Sequence, residues 1–348
     1  MVIRPKFGNW LSINSLENLD DYYLFTMREP WEIIKEKLSK PPLKVICNPK
    51  MDIDHITELA QSTFSLESKA KITIVGMGGG TACDTAKFMS YWLKKEKKIE
   101  IELVLIPSII SVDAFLCSSI AVRKEDKVRY IGESDPKEII IDYNLIQKAP
   151  KFLNRAGVSD TISICSALGD WKIAREEIKE RFDKSIFNRA RMIVLDLMKQ
   201  REEIKHVSEK GIKALVEGFY QEVELCEEWG NARPEEGSEH FLAYCLESIT
   251  GKHYIHGNLI GMNVLISLIL QEEYAEFSTD TILKFLRDIK IEISPKQQKI
   301  NLEDLKHALE KIRSYVLREG LSYSIYNSPR LELNDQKIAE LLSYVEKL

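Results

Sequence analysis

Paired cysteines, long apolar runs and an excess of positive charge are all missing from this chain. The six cysteines, Cys47, Cys83, Cys117, Cys165, Cys226 and Cys245, are scattered with no C-x-x-C pair, and they read as free thiols in a reducing cytoplasm. The longest nearly apolar stretch, Leu259 to Leu270, is broken by Gly261, Asn263 and Ser267. It is too short to cross a bilayer, so a buried helix is expected and no membrane partner. Met1 to Lys6 hold no apolar core of signal-peptide length. A net charge of −5 argues against nucleic acid as the main partner. Low-complexity segments and internal repeats are also lacking. What remains is an ordinary globular composition, with 44% apolar and 30% charged residues.

Glycine is sparse, 16 in 348 residues, yet four fall within five positions: Gly76, Gly78, Gly79 and Gly80. They follow the β-branched run Ile72-Thr73-Ile74-Val75 and lead directly into a helical pattern in which Ala82, Ala86 and Met89 are spaced to face a sheet. Such a strand–turn–helix junction permits close backbone approach and offers unpaired N–H groups at a positive dipole end, a phosphate cradle. It is not the common dinucleotide fingerprint, because Thr81 stands at the third glycine position of G-x-G-x-x-G. The plainer alternative is a glycine-rich turn without a ligand.

The first half alternates strand-like and helix-like segments. Strands are expected at 22–26, 44–47, 72–75, 101–106 and 138–141, with a hairpin from 119–123 and 128–131. Helices are expected at 31–38, 54–61 and 81–94. This pattern predicts a mostly parallel sheet with helices on both faces. After Pro150 the β pattern stops, and helical spacing recurs at 161–181, 185–200, 208–229, 238–248, 257–274, 279–290, 302–318 and 335–347. The expected organisation is an α/β, Rossmann-like nucleotide-binding domain over residues 1–150, then an all-helical domain over 151–348, with a ligand cleft between them.

Ligands of open sheets gather at the carboxyl ends of strands. One such end is the glycine stretch. Another is Pro107-Ser108-Ile109-Ile110-Ser111-Val112-Asp113, which adds two hydroxyls and a carboxylate, although a solvated turn would look the same. In the helical half, Asp160 stands at an expected helix start, where it could simply cap the helix. His240 and Tyr244 lie one turn apart, and His253 and His256 precede the apolar helix. One aspartate and two histidines from separate elements could form a three-ligand metal set with an open position, though spacing alone does not establish it.

The segments Gly76-Met77-Gly78-Gly79-Gly80 with Asp84 and Lys87, Pro107 to Asp113, Ala149-Pro150, Ala156 to Asp160, Gly169 to Ala174, Ala232 to His240 and His256-Gly257 together resemble the sn-glycerol-1-phosphate dehydrogenase family. That family lies within the dehydroquinate-synthase-like and iron-containing alcohol dehydrogenase superfamily. The resemblance runs from about residue 70 to about 275 and implies a dehydroquinate synthase-like fold. It implies Asp160, His240 and His256 as ligands of Zn²⁺, with Ni or Fe as alternatives. It places NAD or NADP on Gly78, Gly79, Gly80, Thr81 and Asp84, along Ser108, Ser111 and Cys117, and substrate hydroxyls at Asp113. The reaction implied is hydride transfer between glycerol 1-phosphate, or a related small polyol phosphate, and a ketone. A cytoplasmic homo-oligomer is expected.

Three positions depart from the family pattern. Tyr244 stands where the family has a second histidine facing the substrate, and a phenol does not titrate near neutrality. Cys117 replaces a cofactor-contacting serine. Asn48 ends the second strand where an acidic residue would bind the adenine ribose, which leaves NAD versus NADP open. A sugar-phosphate cyclase and a ligand-binding relative without turnover are the alternatives. Lys252 and Arg233 are candidates for a substrate phosphate, Arg233 equally for fixing its own loop. His253 is a candidate proton relay or structural residue, and His55, His206 and His307 are expected on the surface.

Overall fold

The computed structural model describes residues 2–67, 69–125 and 127–348, and the chain divides into two compact units, Met1–Asn154 and Arg155–Leu348. The first unit is built on a six-stranded sheet in the order β1-β8-β5-β4-β2-β3, with every pairing parallel. Its strands are β1 (Lys6–Gly8), β2 (Tyr22–Thr26), β3 (Lys44–Cys47), β4 (Lys71–Gly78), β5 (Glu100–Pro107) and β8 (Glu138–Asp142). β6 (Ser119–Lys124) and β7 (Lys127–Glu133) form a separate antiparallel hairpin.

Both faces of β4 are covered, as an all-parallel sheet requires. Val75 and Met77 pack with Leu16, Ile34 and Leu145 in one buried cluster. On the opposite parity, Gly76 meets the helix Gly80–Trp92: a Cβ there would lie 2.7 Å from the Ala86 Cβ. β4 runs three residues beyond the Ile72–Val75 expected from composition. Gly76, Met77 and Gly78 pair with Leu105, Ile106 and Pro107 of β5, and the ladder outweighs the low strand propensity of glycine.

The amino-terminal strand β1 was not anticipated. It is too short to show a period, and its parallel pairing with β8, Lys6 to Gly8 beside Ile140 to Asp142, holds it; just beyond it the carboxylate of Asp142 accepts from the backbone N–H groups of Trp10 and Ser12 at 3.1 and 3.0 Å.

Inside this unit Asp84 and Lys87 form a buried ion pair at 2.7 Å. The Lys87 ammonium also donates to the carbonyls of Cys117 (3.1 Å) and Ser119 (2.6 Å), which pins the entry to the β6–β7 hairpin. Burial opposes the charge on Lys87, but Asp84 beside it drives its pKa upward. Of the free cysteines, Cys47 at the end of β3 is exposed, whereas Cys83, Cys165 and Cys245 are buried.

The second unit carries no strand among the described residues. The helix expected from Thr161 is interrupted, giving Val158–Ile162 and Ile164–Ile178. The apolar helix is His256–Gln271, nearly all of it buried, and a short 3-10 turn Glu272–Tyr274 completes the expected segment. No helix is long and apolar enough to cross a membrane among the described residues.

Removing one partner of the Asp84–Lys87 pair is expected to strand a charge in the interior. Lys87→Met should cost about 3–5 kcal/mol in denaturant unfolding, and adding Asp84→Asn should recover most of it.

Candidate metal centre and dinucleotide seat

In the second unit the side chains of Asp160, His240 and His256 bring their donor atoms within 4.8 Å of one another. The Nε2 atoms of His240 and His256 face each other at 3.2 Å. Asp160 Oδ1 lies 3.2 Å from His256 Nε2 and 3.6 Å from His240 Nε2. Asp160 and His240 are buried and His256 is half-buried. Asp160 does not cap its helix: the cap position is Gly157, and Asp160 sits in the first turn with its carboxylate on the histidines.

Glycines set this geometry. Gly257, next to His256, lies so close to the preceding segment that a Cβ would sit 1.8 Å from the carbonyl oxygen of Ala156. One turn on, a Cβ at Gly261 would lie 2.8 Å from Ser159 Oγ. The helix carrying His256 therefore rests against the stretch that carries Asp160.

The His240 helix, Ser238–Thr250, starts at Gly237 and is capped from outside. Asp170 Oδ2 accepts from Ser238 N–H at 2.7 Å, and a Cβ on Gly237 would lie 2.5 Å from that oxygen. Glu239, buried beside the ligand, orients the ring: its Oε1 lies 2.8 Å from His240 Nδ1 and 2.7 Å from Gly237 N, and its Oε2 accepts from Ser166 at 2.7 Å. With Nδ1–H assigned to Glu239, His240 presents its Nε2 lone pair toward Asp160 and His256.

The electrostatics describe a site that wants positive charge. Burial opposes ionisation of Asp160, yet hydrogen bonds from His240 and His256 hold its carboxyl below the usual range. Burial likewise disfavours an imidazolium at His240, and Asp160 and Glu239 outweigh it, so its pKa rises. Two imidazole nitrogens and a carboxylate oxygen converging on one point fit a divalent cation.

Tyr244 is half-buried, its ring 6.0 Å from that of His240, and its hydroxyl is hydrogen-bonded to Glu236. Arg233 is buried in a two-pronged pair with Glu180, with one bond of 2.7 Å and the other of 2.5 Å, so it fixes the loop before the His240 helix. Lys252 is exposed and 3.8 Å from Asp304. His253, His55, His206 and His307 are all exposed.

In the first unit the four glycines divide by role. Gly76 and Gly78 are packing positions: a Cβ on Gly78 would lie 2.6 Å from the Ala82 Cβ. Gly80 is crowded by Val112, at 2.9 Å. Gly79 has nothing within 4 Å, so no protein neighbour demands a glycine there. Its carbonyl starts the helix by accepting from Ala82 and Cys83, at 3.1 and 3.2 Å. The amides of Gly80 and Thr81 precede the first such bond and need a partner from outside the helix. An open, amide-lined space at the end of β4 fits a pyrophosphate.

Ser108 is buried at the end of β5, where its N–H donates to Gly78 O at 2.9 Å. Ser111 and Thr81 are half-buried. Cys117 donates its thiol to Asp113 Oδ2 at 2.8 Å. Asp84 is turned inward to Lys87 rather than to the loop. From sequence, Asp170 and Glu239 entered only as members of the segments Gly169 to Ala174 and Ala232 to His240, with no role assigned, and Ser166 was not singled out. The signal available was a glutamate directly before a candidate ligand histidine.

Comparison with known proteins follows the same lines. Residues 26–150 match the family model described as "Iron-containing alcohol dehydrogenase". The glycerol-1-phosphate dehydrogenase [NAD(P)+] of Methanococcus aeolicus is 28% identical over 260 residues, 72% of this chain and 66% of that protein. The enzyme of the same name from Thermoplasma volcanium is 28% identical over 254 residues, 72% and 70% of the two chains. In three such relatives the match spans 58%, 62% and 66% of their own length. Among solved structures, sulfoacetaldehyde reductase from Bifidobacterium kashiwanohense, in complex with NAD+, superposes with a TM-score of 0.68 over 99% of this chain and 97% of that one, at 15% identity, a likeness of fold.

Two outcomes test this geometry. Glu239→Ala should weaken Zn²⁺ binding by about 10–100-fold in chelator competition, with Glu239→Gln retaining part of it. Burial and the neighbouring Glu239 push Asp170 up from 3.8 to about 6. The folded chain thus holds this proton more tightly than the unfolded one, so stability falls as pH rises from about 4 to about 6, by about 2–3 kcal/mol. Asp170→Asn should remove that slope from unfolding free energies measured across the window.

Proposed function

We propose that this chain, similar to iron-containing alcohol dehydrogenases over residues 26–150, is a metal-dependent, NAD(P)-linked dehydrogenase interconverting glycerol 1-phosphate, or a related small polyol phosphate, and dihydroxyacetone phosphate. The observation that carries this reading is the convergence of Asp160, His240 and His256, backed by Glu239, in a chain similar to glycerol-1-phosphate dehydrogenases.

In this reading Asp160, His240 and His256 hold the metal, and Gly78, Gly79, Gly80 and Thr81 seat the pyrophosphate, with Ser108, Ser111 and Cys117 along the coenzyme. When bound, the cation supplies Lewis acidity toward the substrate's reacting oxygen and the nicotinamide supplies or accepts the hydride.

The chain's own residues do the rest. Glu239 keeps the proton of His240 on Nδ1 and so keeps Nε2 available. Asp160 contributes the negative charge that a dication requires, and its burial limits competition from water. Tyr244 Oη, tied to Glu236, offers a phenolic hydrogen bond where an imidazole would titrate. Burial, the largest influence, raises the pKa of Glu236 from the ordinary carboxylate value, while its bond to Tyr244 works the other way. Asp113, fixed by the Cys117 thiol, is a carboxylate acceptor for substrate hydroxyls. The active form is proposed to be a cytoplasmic homo-oligomer.

Oxidation of NADH or NADPH at 340 nm by dihydroxyacetone phosphate is expected with metal-replete protein and should disappear on chelation. No oxidation with either coenzyme would defeat the assignment. Coenzyme binding without turnover would point to a relative that has lost catalysis, and conversion of a sugar phosphate without net coenzyme change to a cyclase.

A further inference from the structure

Resting on the dinucleotide reading of the first unit, we infer that the coenzyme it selects is the 2′-phosphorylated form, NADPH, and that Arg28 and Lys50 are the residues that select it. The inference starts from sheet order. From β2 the chain runs outward to β3 at the edge and then returns to β4 on the other side of β2. The succession reverses between β2 and β4, and dinucleotides cross an open sheet at such a reversal, outside the carboxyl ends of the strands.

With the pyrophosphate at Gly79, one half of the coenzyme lies over β5 and the other over β2 and β3. The β5 side carries Ser108, Ser111 and Asp113, the polar groups suited to the reacting half. The adenosine half then falls over β2 and β3. Neighbouring strands lie about 4.8 Å apart, so the end of β3 is about 10 Å from the cradle across the sheet.

Selection between the two coenzymes depends on what meets the ribose there. An acid accepting from the 2′-hydroxyl favours NAD, whereas cations favour the 2′-phosphate. Directly after β3 stands Asn48, which carries no charge. It is held in the left-handed region at φ 53°, one of the few side-chain-bearing residues that tolerates it. Its Oδ1 accepts from the N–H of Arg28 at 3.0 Å and its own N–H donates to Thr26 O at 2.8 Å. These two bonds tie the residue after β3 to the last residue of β2 and to Arg28 just beyond it.

Arg28 and Lys50, two residues beyond Asn48, are both exposed, and neither forms an ion pair with a described residue. The nearby acids are less available. Asp52 spends its carboxylate capping the helix Ile53–Phe64, and Glu32 is paired with Lys35 at 2.5 Å. Glu29, in the first turn of the helix Arg28–Ile34, is the remaining candidate for a ribose hydroxyl.

The test is direct titration of the intact protein with NADPH and with NADH by isothermal calorimetry, without substrate. NADPH is expected to bind about ten-fold or more tightly than NADH, the scale of one to two charge-assisted hydrogen bonds. The Arg28→Ala, Lys50→Ala double variant should lose that advantage and leave NADH binding unchanged. Asn48→Asp keeps the acceptor for Arg28 N–H and tolerates the same backbone conformation, and it should weaken NADPH while sparing NADH. Equal affinities, or tighter NADH binding that Glu29→Gln abolishes, would overturn the inference and leave the dehydrogenase reading intact. Binding of neither coenzyme would defeat both, and so separates the two failures.

Discussion

The contact on which the metal-donor geometry depends is the one between Gly257 and the backbone of Ala156. With a hypothetical Cβ only 1.8 Å from a carbonyl oxygen, any side chain at residue 257 would lever the His256 helix away from the strand of chain leading to Asp160. Donor positions in a metal site tolerate displacements of a few tenths of an ångström. A larger residue here would therefore reach the ligands without touching them. Gly237 plays the same part for His240, since it leaves the space through which Asp170 caps the ligand helix. Two glycines and one buried acid thus position two histidines, and Glu239 settles how one of them turns its ring.

The glycine-rich junction of the first unit shows how little a motif says about the duty of each position. Four glycines look equivalent in the chain, but two are required by the helix packed on β4, one by Val112, and only Gly79 opens onto empty space. Asp84, the fifth residue of the helix that follows, illustrates the opposite lesson. Its place in the motif suggested the coenzyme, and its carboxylate is instead taken up by Lys87, whose ammonium holds the start of the hairpin.

Much of the architecture was legible because it follows from period and punctuation. Alternating strands and helices before Pro150, and unbroken helical spacing after it, describe a parallel sheet followed by an all-helical unit. What escaped has physical reasons. β1 is too short for a period and depends on pairing with β8, far along the chain. The break at Ser163 lies in a stretch whose residue spacing remains helical on both sides. For the site, Asp160, His240 and His256 were named from flanking motifs. That their donor atoms share one locus is a property of helix packing which spacing along the chain does not encode. Asp170 and Glu239 stood inside the segments Gly169 to Ala174 and Ala232 to His240 without a role of their own, and only their complete burial shows what they hold in place.

The sheet of the first unit ends on both sides in very short strands, β1 with three residues and β3 with four. An exposed strand edge is a template for another chain, and its danger grows with its length. Here either margin offers only a few ladder bonds, and the β3 side opens on the charged Lys44 and closes on Asn48 and Pro49, where a proline cannot donate. Runaway edge-to-edge association, the common hazard of open sheets, is thereby suppressed at the level of the backbone.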